Sequence, residues 1–223
     1  MNESQVFSDR REAGQALGQL LLRHRCWNDP VVLALPRGGV PVAYEVARAL
    51  DAPLDILVVR KIGHPRHQEF AIGAIASGGV TVMNPERNGL FGGVRRDEVA
   101  CILAREQEEL ARRDALYRDG VPMVPVRGRE VILVDDGLAT GASMRAAVDA
   151  VRQLDPASVT VAVPVGAAAS CETLRSFADA VLCVRSPEPF RAVGLWYADF
   201  PQTSDEEVRA LLAQAHRHEP TAH

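Results

Sequence analysis

The sequence predicts an α/β protein in which a mainly parallel, twisted sheet is flanked by helices. Three features point there. Short β-branched runs alternate along the chain with amphipathic helical stretches. The runs are continuously apolar, as in strands covered on both faces. Several pass into a helix through a glycine-containing turn, the strand–turn–helix–strand order of a parallel sheet. With 223 residues, 47% of them hydrophobic, the chain can bury one sizeable core.

Asp9 to Arg25 reads as a first helix. Val31–Leu35 is a compact apolar strand that stops at Pro36-Arg37-Gly38-Gly39. Val40–Leu50 follows as a helix, with Val42, Ala43, Val46, Ala47 and Leu50 on one face. Ile56–Val59 reads as the second strand and Arg60–Phe70 as a loop. Ile72–Ala76 and Val80–Met83 form a hairpin through Ser77-Gly78-Gly79. Arg95–Arg118 is a helix rich in Glu and Arg, with i,i+4 pairs at Glu108–Arg112 and Glu109–Arg113 that suit a solvated face. Val131–Val134 is the fifth strand, followed by Asp135-Asp136-Gly137 and a helix from Ser143 to Leu154. Val159–Val163 and Val181–Val184 complete the strands. A loop, Ser186–Pro189, leads to an aromatic cluster of Phe190, Trp196, Tyr197 and Phe200. Asp205–His216 is the last helix, with Ser204 as N-cap and Glu207 three residues on.

Charge and cysteine usage narrow the class. Twenty-five Lys+Arg against 29 Asp+Glu give a net charge of −4, which excludes a generally basic, nucleic-acid-coating surface. The longest apolar stretch, Val159–Ala169, contains Thr160, Pro164 and Gly166 and is too short to span a bilayer. Met1–Arg11 is polar and charged, unlike a secretory signal. A cytoplasmic protein without nucleic-acid or membrane partners is expected. The cysteines at 26, 101, 171 and 183 have no CxxC spacing and read as thiols in a reducing compartment, not as a zinc site.

The chemistry concentrates in residues 131–143. An apolar strand ends in two carboxylates, Asp135 and Asp136; a small-residue turn follows, and then a helix. Glycine and alanine let backbone N–H groups approach an anion, the helix N-terminus adds partial positive charge, and Thr140 and Ser143 add hydroxyls. That combination cradles a phosphate monoester. The carboxylates repel phosphate but suit vicinal hydroxyls or hydrated magnesium. Neither a Walker A loop nor a GxGxxG fingerprint is present.

This stretch resembles the 5-phosphoribosyl-1-pyrophosphate (PRPP) motif of type I phosphoribosyltransferases. Leu35–Val40, Arg60–Gly63, Glu69–Ala74, Val134–Gly141 and Asp199-Phe200 are similar to segments of a group of such enzymes whose acceptor is unassigned. The resemblance implies one domain over 1–223: a core at about 28–185, variable hood pieces at about 1–25 and 186–223, and an inserted helix at about 95–118. It implies Mg-dependent transfer of 5-phosphoribose from PRPP to a nitrogen acceptor, such as a purine or other heterocyclic base, with release of pyrophosphate. A PRPP sensor, or hydrolysis or phosphate transfer on ribose phosphates, are the alternatives.

By the same resemblance, Ala139, Thr140, Gly141, Ala142 and Ser143 hold the 5-phosphate. Arg37, Gly38, Gly39, Arg60 and Lys61 hold pyrophosphate, and the Arg60–Phe70 loop is a lid. Asp135 and Asp136 contact the ribose hydroxyls or, through water, the metal. Asp135, Asp136, Lys61 and Glu69 make up the catalytic set. Hypoxanthine–guanine enzymes carry an aspartate where this chain has Ala139, so Glu69, His64, His67 and Asp199 are the candidates for handling the acceptor proton. Phe190, Trp196, Tyr197 and Asp199 are the candidate acceptor contacts, and a homodimer is expected.

Overall fold

The computed structural model describes residues 6–65, 67–83 and 95–217; the side chains of Gln68, Glu69, Phe70 and Arg96 fall outside that description. The chain order is α1 (Arg10–His24), β1 (Pro30–Ala34), α2 (Gly39–Leu50), β2 (Leu54–Ile56), β3 (Val59–His64), β4 (His67–Ala76), β5 (Val80–Met83), α3 (Arg96–Arg118), β6 (Glu130–Val134), α4 (Ala142–Arg152), β7 (Ser158–Val165), α5 (Ala168–Leu174), β8 (Ala180–Arg185), a 3₁₀ turn (Val193–Trp196) and α6 (Asp205–His216). No helix among the described residues is long and apolar enough to cross a membrane.

Five strands form a parallel sheet in the order β2-β1-β6-β7-β8. Side-chain alternation sorts its apolar residues into two cores. Val32, Ala34, Ile132 and Val134 face α1, α2 and α6, while Val31, Leu33, Val131, Leu133 and Val161 face α4 and α5. The strands therefore lack a polar face and read as unbroken apolar runs. The β1 and β6 connections leave to opposite faces: α2 packs on the first core and α4 on the second. The β1/β6 seam is thus the point where strand order reverses, and crevices for ligands open at the carboxyl ends of such strands.

The Ile56–Val59 run is not one strand. β2 ends at Ile56 and β3 begins at Val59, and the buried Leu57 and Val58 carry the chain from the parallel sheet to a second one. That second sheet is antiparallel, β3-β4-β5. Most of the expected Arg60–Phe70 loop is β3 and the start of β4, paired as Lys61↔Ala74 and Ile62↔Gly73. Arg60, Lys61, Gly63 and Pro65 look like loop punctuation, but pairing with the apolar β4 makes this segment a strand. The 77–79 turn is as expected, with Gly78 and Gly79 both at positive φ. The helix α5 carried no sequence expectation, since seven residues are too few for a periodic signal.

The inserted helix α3 is not simply solvated. Its Arg118 is buried against β2: Nε donates to Asp55 Oδ1 at 3.0 Å and Nη2 to the Ile56 carbonyl at 2.5 Å. Asp55 also accepts from the backbone N–H of Ile56 (2.7 Å) and Val124 (2.9 Å). Ser77 donates to Asp114 at 2.8 Å, which ties the same helix to the β4–β5 turn. The exposed face carries the expected Glu109–Arg113 pair, while Arg112 turns to Glu109 instead of Glu108. Asp55→Ala would leave the buried Arg118 with Asp114 as its one carboxylate partner among the described residues and take the acceptor from the Val124 N–H. Urea unfolding of that variant should show a loss of about 3–5 kcal/mol with an unchanged m-value.

Candidate functional site

β1 and β6 are paired in register, Ala34 opposite Val134, so the segments that follow them leave the sheet side by side. Leu35 N–H donates to the Val134 carbonyl at 2.9 Å, extending the pairing by one residue. The 36–39 turn then lies against the acidic pair. A Cβ on Gly38 would sit 2.1 Å from Asp136 Oδ2, and one on Gly39 would sit 3.0 Å from the Asp135 Cα. Only glycine permits this approach. The Pro36–Arg37 peptide bond is cis.

Both carboxylates are partly buried. Burial pushes the Asp135 carboxyl well above its ordinary range, and the adjacent Asp136 charge pushes it further. Asp135 Oδ1 accepts from the Asp136 N–H at 2.8 Å. Burial also raises Asp136, and Arg10 opposes that rise. Arg10 Nε and Nη2 reach Asp136 Oδ2 at 3.0 and 2.9 Å, and Nη1 donates to the Pro201 carbonyl at 2.7 Å. The guanidinium lies 3.8 Å from the Phe200 ring centroid and borders Gly38, whose Cβ position is 3.4 Å from Nη2. Tyr197 completes the clasp by donating its hydroxyl to the Asp136 carbonyl at 2.6 Å.

Arg10 is the functional candidate that sequence reasoning missed. Its position is set locally: Asp9 caps α1 by accepting from Glu12 N–H at 2.8 Å, and Glu12 accepts from Ser8 N–H at 2.5 Å. That reciprocal cap places Arg10 at the first helical position, facing the site. The Asp9–Glu12 spacing was the available signal for the helix start, but nothing local indicates a partner 126 residues away.

The phosphate loop is open. Ala139, Thr140, Ala142 and Ser143 are exposed, and Gly141 takes φ 73° as the N-cap of α4. Thr140 Oγ1 accepts from Ala142 N–H at 3.5 Å. The loop is held from behind by α5 and its approach: Leu138 pairs with Gly166 as a β-bridge, and Ser170 Oγ donates to the Ala139 carbonyl at 2.5 Å. The first turn of α4 has no intrahelical partners for its N–H groups, so an anion here meets donors and the positive end of the helix dipole.

The other expected residues are distributed differently. Arg37 reaches Asp205 of α6 at 3.6 Å, and Asp205 also accepts from the Tyr117 hydroxyl at 2.7 Å. Arg60 is committed to α3, with Glu106 at 2.5 Å and Glu109 at 3.9 Å. Lys61 is exposed and lines a cleft of about 520 Å³ between β3 and α3, together with Gly63, Glu98, Cys101 and Arg105; none of residues 36–39 or 135–143 lines that cleft. His64 is buried, its ring centroid 5.3 Å from that of His67. The Glu69 side chain lies outside the described residues.

Of the expected acceptor contacts, Trp196 and Tyr197 are buried in a third core with Phe7, Ala13 and Val165, so they act as packing that joins the two ends of the chain. Phe7 N–H donates to the Trp196 carbonyl at 2.9 Å, and Ala198 N–H to that of Phe7 at 2.8 Å. Asp199 is exposed. Phe190 lines a cavity of about 540 Å³ with Ala167–Ala169 and Pro187–Pro189, beside the support of the phosphate loop.

A parallel sheet with a phosphate-type loop and an acidic pair at its switch point defines the class, and the family model agrees. Residues 11–194 match the phosphoribosyl transferase domain, and the chain belongs to that family. It is 44% identical over 214 residues to a Mycobacterium tuberculosis protein named "Putative phosphoribosyl transferase Rv0571c". That match takes in 95% of this chain and 47% of the relative, so the chain spans about half the length of the curated relatives it matches. TT1426 from Thermus thermophilus has a crystal structure with a TM-score of 0.85 and 43% identity, covering 94% of this chain and 98% of that one. AQ2163 from Aquifex aeolicus shares the fold at a TM-score of 0.51 and 10% identity, over 83% of this chain and 78% of the other. Arg10, Tyr197 and Phe200 lie outside the span matched by the family model.

Arg10→Ala would remove the cation from Asp136 and leave the Pro201 carbonyl without its donor. Denaturant unfolding should report a loss of about 1.5–3 kcal/mol, partly recovered in Arg10→Lys.

Proposed function

We propose that the chain binds PRPP along the carboxyl edge of the sheet and transfers its phosphoribosyl group to a nitrogen acceptor, releasing pyrophosphate. The observation that carries this is the meeting, at the β1/β6 seam, of a solvent-open anion loop, a carboxylate pair and a glycine turn in contact with that pair. A ligand with a phosphate at one end, a diol in the middle and pyrophosphate on the anomeric carbon has the matching order of groups.

Residues 139–143 hold the 5-phosphate through the α4 N-terminus and the Thr140 and Ser143 hydroxyls. Asp135 and Asp136 accept from the ribose hydroxyls. Arg10 engages only one Asp136 oxygen, so the other remains available to the diol. The 36–39 backbone receives the pyrophosphate, with Arg37 released from Asp205 to meet it and Arg10 bordering the same turn. Lys61 joins them when the β3–β4 hairpin moves toward the sheet edge, while Arg60 stays as the hairpin's anchor on α3. Asp135 and Asp136 offer hard oxygen donors, and no third His, Cys, Asp or Glu joins them among the described residues. That donor set fits magnesium held through water, with substrate oxygens filling the remaining positions. When bound, magnesium supplies charge neutralisation on the departing pyrophosphate.

Bond breaking at the anomeric carbon develops oxocarbenium character, so positioning and exclusion of water supply most of the catalysis. The acceptor enters the cavity edged by Phe190, where a planar base stacks on the ring. Trp196 and Tyr197 back that wall from the third core, and Asp199 lies at the exposed rim. Glu69, His64 and His67 on the hairpin are the candidates for taking the acceptor proton.

Incubation with magnesium, PRPP and a panel of purines, pyrimidines and pyridine carboxylates should release pyrophosphate with at least one acceptor. Calorimetric binding of PRPP without turnover across the panel would move the chain to the sensor class. Asp135→Asn and Asp136→Asn should each cut turnover roughly 100-fold or more; the melting temperature should change little in Asp135→Asn and fall in Asp136→Asn, which takes the charged partner from Arg10. The raised Asp135 carboxyl protonates above the ordinary carboxylate range. PRPP affinity, titrated calorimetrically across pH, should therefore begin to fall at a higher pH than an unperturbed aspartate would dictate.

A further inference from the structure

Cys171 on α5 and Cys183 on β8 are both free. They close around Gly166: a Cβ there would meet Cys171 Sγ at 2.9 Å and Cys183 Sγ at 3.4 Å. Cys183 Sγ also lies 3.0 Å from the Arg185 carbonyl, to which it donates, and accepts from Ser186 Oγ at 3.5 Å. Cys171 is buried, whereas Cys183 is only partly so.

An isolated buried cysteine is ordinarily a small apolar side chain. This pair differs because both sulfurs crowd the same glycine and because the two thiols are polarised in opposite senses. The neighbouring Cys171 thiol and the Ser186 hydroxyl favour the Cys183 thiolate and bring that thiol down to about 7. Cys171, buried beside it, is pushed up. A thiolate beside a proton-bearing thiol is the arrangement that reacts with an oxidant and then resolves to a disulfide.

The pair also sits directly behind the phosphate loop. Gly166, packed against both sulfurs, bridges to Leu138, and Ala167 N–H donates to the Leu138 carbonyl at 2.9 Å. Ser170, adjacent to Cys171, donates to the Ala139 carbonyl. Any movement of Cys171 toward Cys183 is therefore passed to residues 138–139.

We propose that Cys171 and Cys183 form a peroxide-sensitive dithiol whose oxidation to a disulfide loosens the phosphate loop. The Cys183 thiolate attacks one peroxide oxygen, breaking the O–O bond; this gives the Cys183 sulfenic acid and hydroxide, which takes up a proton to become water. The Cys171 sulfur then attacks the sulfenyl sulfur, forming the S–S bond, and the displaced hydroxide leaves as a second water with the Cys171 proton. In sum, two thiols and one peroxide yield one disulfide and two waters. The covalent bond is shorter than any non-bonded approach of two sulfurs, so α5 is drawn toward β8 and Ser170 is drawn off the Ala139 carbonyl. The consequence for the ligand rests on the PRPP reading above; the thiol chemistry does not.

The test starts from the reduced full chain treated with hydrogen peroxide and digested without reductant. A peptide joined through Cys171 and Cys183, lost on adding dithiothreitol, is expected. In Cys171→Ser, Cys183 should instead accumulate as a dimedone-trapped sulfenic acid. Absence of the joined peptide, when the exposed Cys26 and Cys101 have been oxidised, would overturn the proposal. Amide hydrogen exchange over residues 138–143 should quicken on oxidation, revert with dithiothreitol and stay unchanged in Cys171→Ser. Unchanged exchange in the oxidised parent chain would refute the link to the loop. Calorimetry should show PRPP binding weakened about fivefold or more in the oxidised chain; equal affinity refutes the effect on the ligand. If the reduced chain binds no PRPP, the PRPP reading falls, while the disulfide and exchange results keep their own meaning.

Discussion

Two carboxylates on consecutive residues, drawn partly out of water at the end of a buried strand, repel each other and lose hydration together. An isolated buried charge of this kind would neutralise instead of persisting. Here the opposing charge comes from Arg10, a hydrogen bond to the Asp135 carboxylate comes from the Asp136 amide, Tyr197 fixes the Asp136 backbone carbonyl, and the space comes from Gly38 and Gly39. Each of these groups is brought in by a different part of the chain. Helix α1 must be capped so that its first residue faces the sheet edge. Residues 193–201 must return across the molecule to meet it, and β1 must lie beside β6. The acidic pair thus acts as the point around which the ends of the chain close.

That closure explains the aromatic residues near the carboxyl end. Tyr197 carries one of the hydrogen bonds to the pair, and Phe200 lies under the Arg10 guanidinium, where a cation meets the face of a ring. Trp196 and Tyr197 pack with Phe7, whose backbone ladders onto the same segment. A group of aromatics that looks like a stacking platform in sequence is mostly the wedge that keeps Arg10 in place. The remaining ring, Phe190, is the one left beside a cavity.

The second sheet and α3 form the other half of the design. Several of their polar groups are turned inward: Arg118 to Asp55, Ser77 to Asp114, Arg60 to Glu106. Buried pairs of this kind are costly to desolvate and costly to break, which makes them better suited to fixing an arrangement than to adding stability. They join the antiparallel sheet to an edge strand of the parallel one, with the exposed Lys61 on the intervening cleft.

The parallel sheet, the order of its loops and the open strand–turn–helix corner at 135–143 were readable from residue order, because each depends on neighbours within one strand, turn or helix. Apolar runs declare burial on both faces, and a glycine-rich corner before a helix declares accessible amides. The capping of α6 by Ser204 was legible for the same reason. Arg10 was not, since its contact with Asp136 spans 126 positions and leaves no periodic trace. Nor was the recruitment of Arg60 by α3, the division of Ile56–Val59 between two sheets, or the strand character of 60–64 and 67–70. These depend on which surfaces meet once the chain has folded, and a charged or glycine-bearing segment takes its conformation from the partner it pairs with.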